Sequence, residues 1–568
     1  ALVEGELRDR WLEWRAAEIA RFHARLADVL AEYDGRWSLY VAPTTLCAAG
    51  PLAERLRPTL GPAPVADVVL REAGLDPVRS TAHRRVTFLA PHVHGGSGLA
   101  IRGTVAAGNA VAARAVAAAA RRGVVVVEEP RDLDVRTIVP HGPFGSARVD
   151  GPCRVHAPAT GAEAGRPLAE TFAAADAEAV FDSRLGLALP ASRPPDRAAV
   201  EALVAAPLAP VAGLPPPLVV RVSRGDDATW VHVVNAAGVA ARAAVTLSGR
   251  PSAAMDMATG AALEVRGGDV GIDLPAWGMR ILRLDGDATV AGGRMEYGSA
   301  TASAVAARVA DLARRRTALE PPPPLDVLDN PGFELGDAPA DGRGAAAAVT
   351  GWELLESRRG ALTLVAGRDS GRAASFASTT GLATVRSNPF PPPTTGRVSV
   401  AAWFRVRDGA AQPPLRMALE GIRDGREYYR FAAVGGASGG RPLAGGWQQY
   451  VLLVDDLPED GLESLRVRFD LLGPGMVEID DVRVSDLAFT EPERERLSRQ
   501  VGDMEAAVAA GDLGPCVVAL DGHWPRFLEA HVPVPAVATP EPTAAEAPAA
   551  PRPAERTGVL DRMWRMWQ

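Results

Sequence analysis

The sequence reads as a multidomain chain: an α/β region, then two all-β regions, then a helical hairpin and a tail. Three observations carry this. Apolar strand-like runs alternate with helical periodicity over the first ~210 residues. Short strands separated by turn signals take over between residues 214 and 488. Helical spacing returns at 490–531, and a stretch of Pro, Ala and Glu comes after it.

Size and charge bound the possibilities. The chain has 568 residues, room for three or four domains at roughly 150 residues each. It carries 61 basic and 69 acidic residues, a net charge of −8. A nucleic-acid binder needs a basic excess, so nucleic acid is not an expected partner. Every basic side chain is Arg and Lys is absent, which excludes P-loop and Schiff-base lysine chemistry. The three cysteines, Cys47, Cys153 and Cys516, are far apart and form no CxxC pair, so they read as small buried thiols. The uncharged run from Ala202 to Val220 is broken by Pro207, Pro210 and Pro215–Pro217 and cannot be a membrane helix. The chain starts at Ala1 and enters a strong helix almost at once. It therefore reads as a piece of a longer protein, with an export signal in the missing part and a periplasmic, cell-surface or extracellular destination.

In order, residues 5–34 form the first helix, with Leu12, Ile19, Phe22, Leu26, Val29 and Tyr33 at helical spacing and Gly35 ending it. Strands are expected at Leu39–Pro43, Arg85–Pro91, Gly123–Pro130 and Ala179–Ser183, with helices at about 51–60, 103–122 and 166–178. Four such units make half of an eightfold barrel, which needs about 250 residues. A small doubly wound sheet is the alternative, but no glycine-rich turn comes after the first strand. The expected organisation is therefore a partial TIM-like barrel over 1–213 and a small antiparallel β-sandwich over 214–287. A helical connector with a proline break comes next at 288–324, then a jelly-roll β-sandwich at 325–488 and a helical hairpin at 489–531. A Pro/Ala-rich linker at 532–556 leads to an amphipathic tail at 557–568. In the hairpin, Thr490 and Glu493 fit a capping box, and a second helix is expected from Pro515 to His531. In the tail, Leu560, Met563, Trp564 and Trp567 share one helical face, a candidate anchor for a protein or membrane surface.

Two segments carry family likenesses. Asn330-Pro-Gly-Phe-Glu334, Gly351-Trp352, Gly446-Trp-Gln-Gln-Tyr450 and Val477-Glu-Ile-Asp-Asp-Val482, in that order, resemble the carbohydrate-binding jelly rolls of the family 4, 9 and 22 group. Trp11-Leu-Glu-Trp-Arg15, Val127-Glu-Glu-Pro130, His141-Gly-Pro-Phe144 and Ala175-Asp176 leading to Phe181-Asp182 resemble the C-terminal half of a family 10 glycosylhydrolase-like barrel with its appended sandwich. The resemblance implies a bacterial glycoside hydrolase with an accessory carbohydrate-binding module. A non-catalytic carbohydrate-binding or scaffold protein with a degenerate barrel is the alternative.

Glycoside hydrolysis needs two carboxylates, about 5 Å apart for retention and about 6.5–9.5 Å for inversion. Glu128, Glu129 and Asp182 sit at strand ends, where barrels place catalysis. Only one of Glu128 and Glu129 can face the site, and Glu129 is preferred because it matches the family position and precedes Pro130. A piece holding only half a barrel is expected to be inactive alone. His92, His94 and His141 are candidate sugar-hydrogen-bonding residues, ahead of a zinc reading. Sugar binding also needs flat aromatic faces, and Tyr428 and Tyr429 are the candidates, one inward and one outward on a strand; Trp403 and Trp447 read as core. No cofactor is expected for catalysis. The jelly-roll resemblance implies a structural calcium on Glu334, Asp480 and Asp481.

Overall fold

Short runs of branched apolar residues bounded by turns dictate most of the architecture, because such runs are stable only as strands covered by other elements. The computed structural model describes residues 6–43, 55–61, 66–91, short pieces between 112 and 134, 154–157, 165–177, 179–182, 202 and 207–534, the last span with short gaps. The linker 532–556, beyond Val534, and the tail 557–568 lie outside the described residues.

In the N-terminal region four parallel strands lie side by side, in the order Leu39–Val41, Val86–Pro91, Val124–Glu128, Ala179–Asp182. They are the four expected strands. Among the described residues they form an open sheet, and a partial barrel is not shown. Phe88, Val124, Leu70 and Val116 make its core. Helix Glu6–Tyr33 lies alongside, with Leu12, Ala16 and Ala27 buried. Its conspicuous apolar stripe, including Phe22, Leu26, Val29 and Tyr33, is exposed instead.

The small sandwich packs a five-stranded sheet against a four-stranded one. It runs beyond the expected 214–287, because Ala209–Pro210 and Thr289–Glu296 pair onto its sheets. Helix Arg166–Ala174 seats Leu168 and Phe172 against Val234, Trp277 and Met279. Arg221 of the sandwich donates to the Phe172 and Ala173 carbonyls at 3.0 and 3.2 Å, satisfying the end of that helix.

The expected hairpin is three helices, Glu491–Ala510, Leu513–Leu520 and His523–His531, and the connector helix Ser299–Thr317 joins their core. The capping box forms as expected, and Gly511 ends the first helix in the left-handed conformation. The expected helix Pro515–His531 breaks at Asp521, whose carboxylate accepts the Gly238 N–H of the sandwich at 2.8 Å and a bond from Arg526 at 3.1 Å. Cys516 is buried here as a free thiol. Cys47 and Cys153 lie outside the described residues.

One turn, residues 55–61, touches three regions. Leu56 enters the parallel-sheet core and Leu60 the helical core. Between them, Arg57 donates to the Leu457 carbonyl of the jelly roll at 3.1 Å.

Residues 325–488 fold as two five-stranded antiparallel sheets face to face. The core joins Phe333, Trp352, Phe376, Phe404 and Phe469. Trp352 lies 4.9 Å from Phe333 and 5.8 Å from Phe469, and its indole N–H donates to Asn330 O at 3.1 Å. The Asn-Pro-Gly-Phe-Glu and Gly-Trp motifs therefore meet across the sandwich.

Candidate functional site

Along Arg426–Ala433 successive side chains alternate, so one tyrosine faces in and the other out. Tyr428 points into the core and is 6% exposed, so the expectation that it binds sugar is corrected. Its strand partner is Gly421, where a Cβ would collide with the Ser464 carbonyl, so only glycine fits. Tyr429 faces outward beside Phe431, with ring centroids 5.7 Å apart and planes tilted 35°. Phe431 is 48% exposed. The Arg416 guanidinium stacks 4.3 Å from the Phe431 ring centre.

A chain of polar side chains crosses the same face. Arg386 donates to Glu353 at 2.9 Å and to Glu420 at 3.3 Å. Arg468 donates to the other Glu420 oxygen and to Asp470, both at 2.8 Å. Asp470 also accepts from Thr384 at 2.8 Å and from the Tyr429 hydroxyl at 2.6 Å. Register explains the convergence, since Glu420 is paired with Tyr429, Arg416 with Asp470, and Arg386 with Arg468. Burial, and then the bond to Asp470, push the Tyr429 phenol up to about 12, so it stays a neutral donor. Burial opposes the charge on Arg468, but its bonds to Glu420 and Asp470 outweigh that and raise its pKa. The face thus holds a half-buried Tyr429 and an exposed Phe431 beside a fixed row of donors and acceptors, in which Asp470 is buried. Sequence reading found Tyr429 and missed Phe431, Arg416, Glu420, Arg468 and Asp470. The two-residue step from Tyr429 to Phe431 was the local signal; the other four depend on pairing between distant strands.

On the second sheet Trp403 and Trp447 are partly exposed, which corrects the expectation that they are core. Arg368 stacks on Trp403 at 4.2 Å, and Arg405 on Trp447 at 4.4 Å. The residues expected to hold calcium lie close by. Both Glu334 oxygens accept the Arg372 N–H, at 3.0 and 3.1 Å. Gly371 permits this approach, since a Cβ there would collide with Glu334 Oε1. Asp480 accepts the N–H groups of Arg368 and Asp481, both at 2.8 Å. Asp481, with a left-handed φ of 47°, pairs with the Arg368 guanidinium at 2.5 Å. Burial raises the Asp480 pKa; the two N–H bonds pull it down, and the Asp481 and Glu334 charges add to the rise. Among the described residues no group of three His, Cys, Asp or Glu is placed to hold a metal ion. In this arrangement Glu334 and Asp480 accept backbone N–H groups, and Arg368 supplies positive charge beside Asp481. In a thermal melt, wild type is expected to respond little to calcium or chelator. Arg368→Ala, which leaves the crowded carboxylates without their counter-charge, is expected to gain several degrees with millimolar calcium. A variant indifferent to calcium would refute this account of the cluster.

In the parallel sheet Glu128 and Asp182 are register partners at the C-terminal ends of neighbouring strands. The pairing sets Glu128, not the preferred Glu129, opposite Asp182. Glu129, His92, His94 and His141 lie outside the described residues.

No protein-family model matches the chain, and no curated protein matches it. Among solved structures, a xylan-binding family 22 module from Paenibacillus barcinonensis is 12% identical, with a TM-score of 0.21 over 28% of this chain and 93% of that one. The enzymatically active domain of bacteriophage CBA120 tailspike protein 4 is 10% identical, with a TM-score of 0.21 over 28% of this chain. An arabinose-bound family 51 α-L-arabinofuranosidase is 12% identical, with a TM-score of 0.22 over 31% of this chain. The chain spans 21% of the tailspike domain and 29% of the arabinofuranosidase.

Proposed function

We propose that this chain binds a poly- or oligosaccharide on the outer face of the sheet carrying Tyr429 and Phe431. The supporting observation is the pairing of two outward aromatic rings with the Arg386–Glu420–Arg468–Asp470 row. A pyranose ring has an apolar face that stacks on an aromatic one, while its hydroxyls take fixed donors and acceptors at the edge. Calorimetry against a panel of soluble plant and bacterial polysaccharides tests this. Tyr429→Ala and Phe431→Ala are each expected to weaken binding about tenfold, ~1.4 kcal/mol. Unchanged affinity in both variants would reject the site.

A second reading, glycoside hydrolysis, has one observation of its own: Glu128 and Asp182 in register at the strand ends where parallel α/β sheets place ligands. The same polysaccharides, assayed for reducing-sugar release, test it. Turnover abolished by Glu128→Gln and by Asp182→Asn would establish it, and turnover indifferent to both would remove it.

A further inference from the structure

Cationic groups crowd the junction where the turn 55–61 meets the jelly roll and the helical core. Arg57, on the turn, is 8% exposed, and Arg397, on the jelly roll, is 5% exposed. Several contacts bring them together. The Leu457 carbonyl accepts from Arg57 at 3.1 Å, and the Leu457 N–H donates at 3.2 Å to the carbonyl of Gly396, the residue before Arg397. Leu60, on the same turn as Arg57, shares a core with Phe489, Trp524 and Phe527. The Arg397 guanidinium lies 4.5 Å from the Phe489 ring centre and 6.0 Å from that of Trp524. His523 completes the group, its ring centre 4.9 Å from that of Trp524. Burial, then the charges of His531, Arg397 and Arg57, lower its pKa to about 4, so it is neutral at neutral pH.

The donors here exceed their acceptors. Among the described residues, Arg57 Nε and Nη2, Arg397 Nε and His523 Nε2 are buried without a hydrogen-bond partner. Buried polar groups are nearly always satisfied, and a buried charge needs a counter-charge. Arg397 has one in Glu493, at 2.9 Å. Among the described residues no carboxylate pairs with Arg57; its bonds go to the Asp455 and Leu457 carbonyls, at 3.4 and 3.1 Å. The other acids of the junction are engaged elsewhere, Asp456 with Arg430 at 3.2 Å and Asp486 with the charge of His531. The group therefore holds one uncompensated positive charge among free N–H donors. Water satisfies donors but brings no charge, whereas an anion does both.

We infer that this junction is a buried binding site for one small monovalent inorganic anion of halide size, held by Arg57, Arg397 and His523. One negative charge matches the single positive excess; a divalent oxoanion would bury a second charge with nothing to balance it. The bound anion ties the turn 55–61, the jelly roll and helix His523–His531 to one point. The site is separate from the Tyr429 face and does not depend on sugar binding.

The test uses the whole chain in sodium gluconate, whose anion is too large for the site, titrated with sodium chloride at constant ionic strength. Chloride is expected to raise the melting temperature by several degrees, saturating as a single site. The chloride NMR line should broaden with the protein present and narrow when nitrate competes. Arg57→Met should abolish both responses. His523→Phe, which replaces ring by ring, should weaken chloride binding about tenfold by removing one donor. The same melting temperature in gluconate and chloride would overturn the proposal and leave water as the occupant. A chloride response that survives Arg57→Met would also overturn it, because the ion would then act elsewhere. If Arg57→Met does not fold, His523→Phe decides, and an unchanged chloride affinity in that variant would refute the site.

Discussion

Replacing Arg397 with Met is expected to destabilise the protein by about 3–5 kcal/mol, the range for breaking a buried ion pair from one side. Arg397 stands on the jelly roll and Glu493 in the first turn of helix Glu491–Ala510. The guanidinium donates to both Glu493 oxygens, at 3.0 and 2.9 Å, and the two side chains are only 6% and 9% exposed. Arg397 also donates to the Ala488 carbonyl at 3.3 Å and stacks 4.5 Å from the Phe489 ring centre. Glu493 in turn accepts the Thr490 N–H at 2.8 Å as half of the capping box. Methionine fills similar volume but strands the Glu493 carboxylate in an apolar site. Denaturant unfolding would measure the loss. The double variant Arg397→Met with Glu493→Gln should cost clearly less than the two single losses added together, because the buried charge is gone. A single-variant loss under about 1 kcal/mol would show that the pair contributes no more than a surface salt bridge.

The protein should also lose stability steeply in mild acid. His232 is fully buried in the small sandwich, its ring centre 5.2 Å from that of Phe172, and among the described residues neither ring nitrogen has a hydrogen-bond partner. Burial, and then the Arg221 charge, lower its pKa to about 3. His523, among Trp524, Phe527 and His531, is lowered to about 4, first by burial and then by His531, Arg397 and Arg57. Both folded values lie below the unfolded value near 6.5, so the unfolded chain takes up the proton first. Stability is therefore intact above about pH 6.5. It falls as pH drops toward 4 for His523 and toward 3 for His232, by at most about 1.4 kcal/mol per pH unit for each. Asp480 and Asp486, whose pKa values burial raises, act in the opposite direction lower in the range and offset part of the loss. Urea unfolding at pH 7.5 and pH 5 would show the drop, and His232→Leu should remove a clear part of it, the rest coming from His523, His531 and His23, whose pKa values burial also lowers. An identical pH dependence in that variant would rule out His232 as a source.

The site and the stability of this protein were legible in the sequence to different depths. Strand positions in the parallel region and the capping box at Thr490 derive from local rules. Each depends on residues a few positions apart or on apolar runs that only a covered strand can bury. The break in helix Pro515–His531 is marked locally by Gly522 and Pro525; only the bond from Gly238, 283 positions away, to the Asp521 carboxylate lay beyond the sequence. The choice between Tyr428 and Tyr429 was open locally, because alternation says that one faces inward without saying which. The glycine at 421 and the register with the Leu415–Arg423 strand settled it.

By itself the sequence determined the four strands of the parallel region, the all-β character of residues 325–488 and the absence of lysine chemistry. Those properties reside in composition and in periods of 2 and 3.6 residues. Only the tertiary structure decided that Phe431, Glu420, Arg468 and Asp470 share one face, that Arg368 provides the charge for the Asp480–Asp481 pair, and that the long stripe of the first helix is exposed. Each of these is a relation between strands or surfaces far apart in the chain. Periodicity shows that a face is apolar, but not which neighbour covers it.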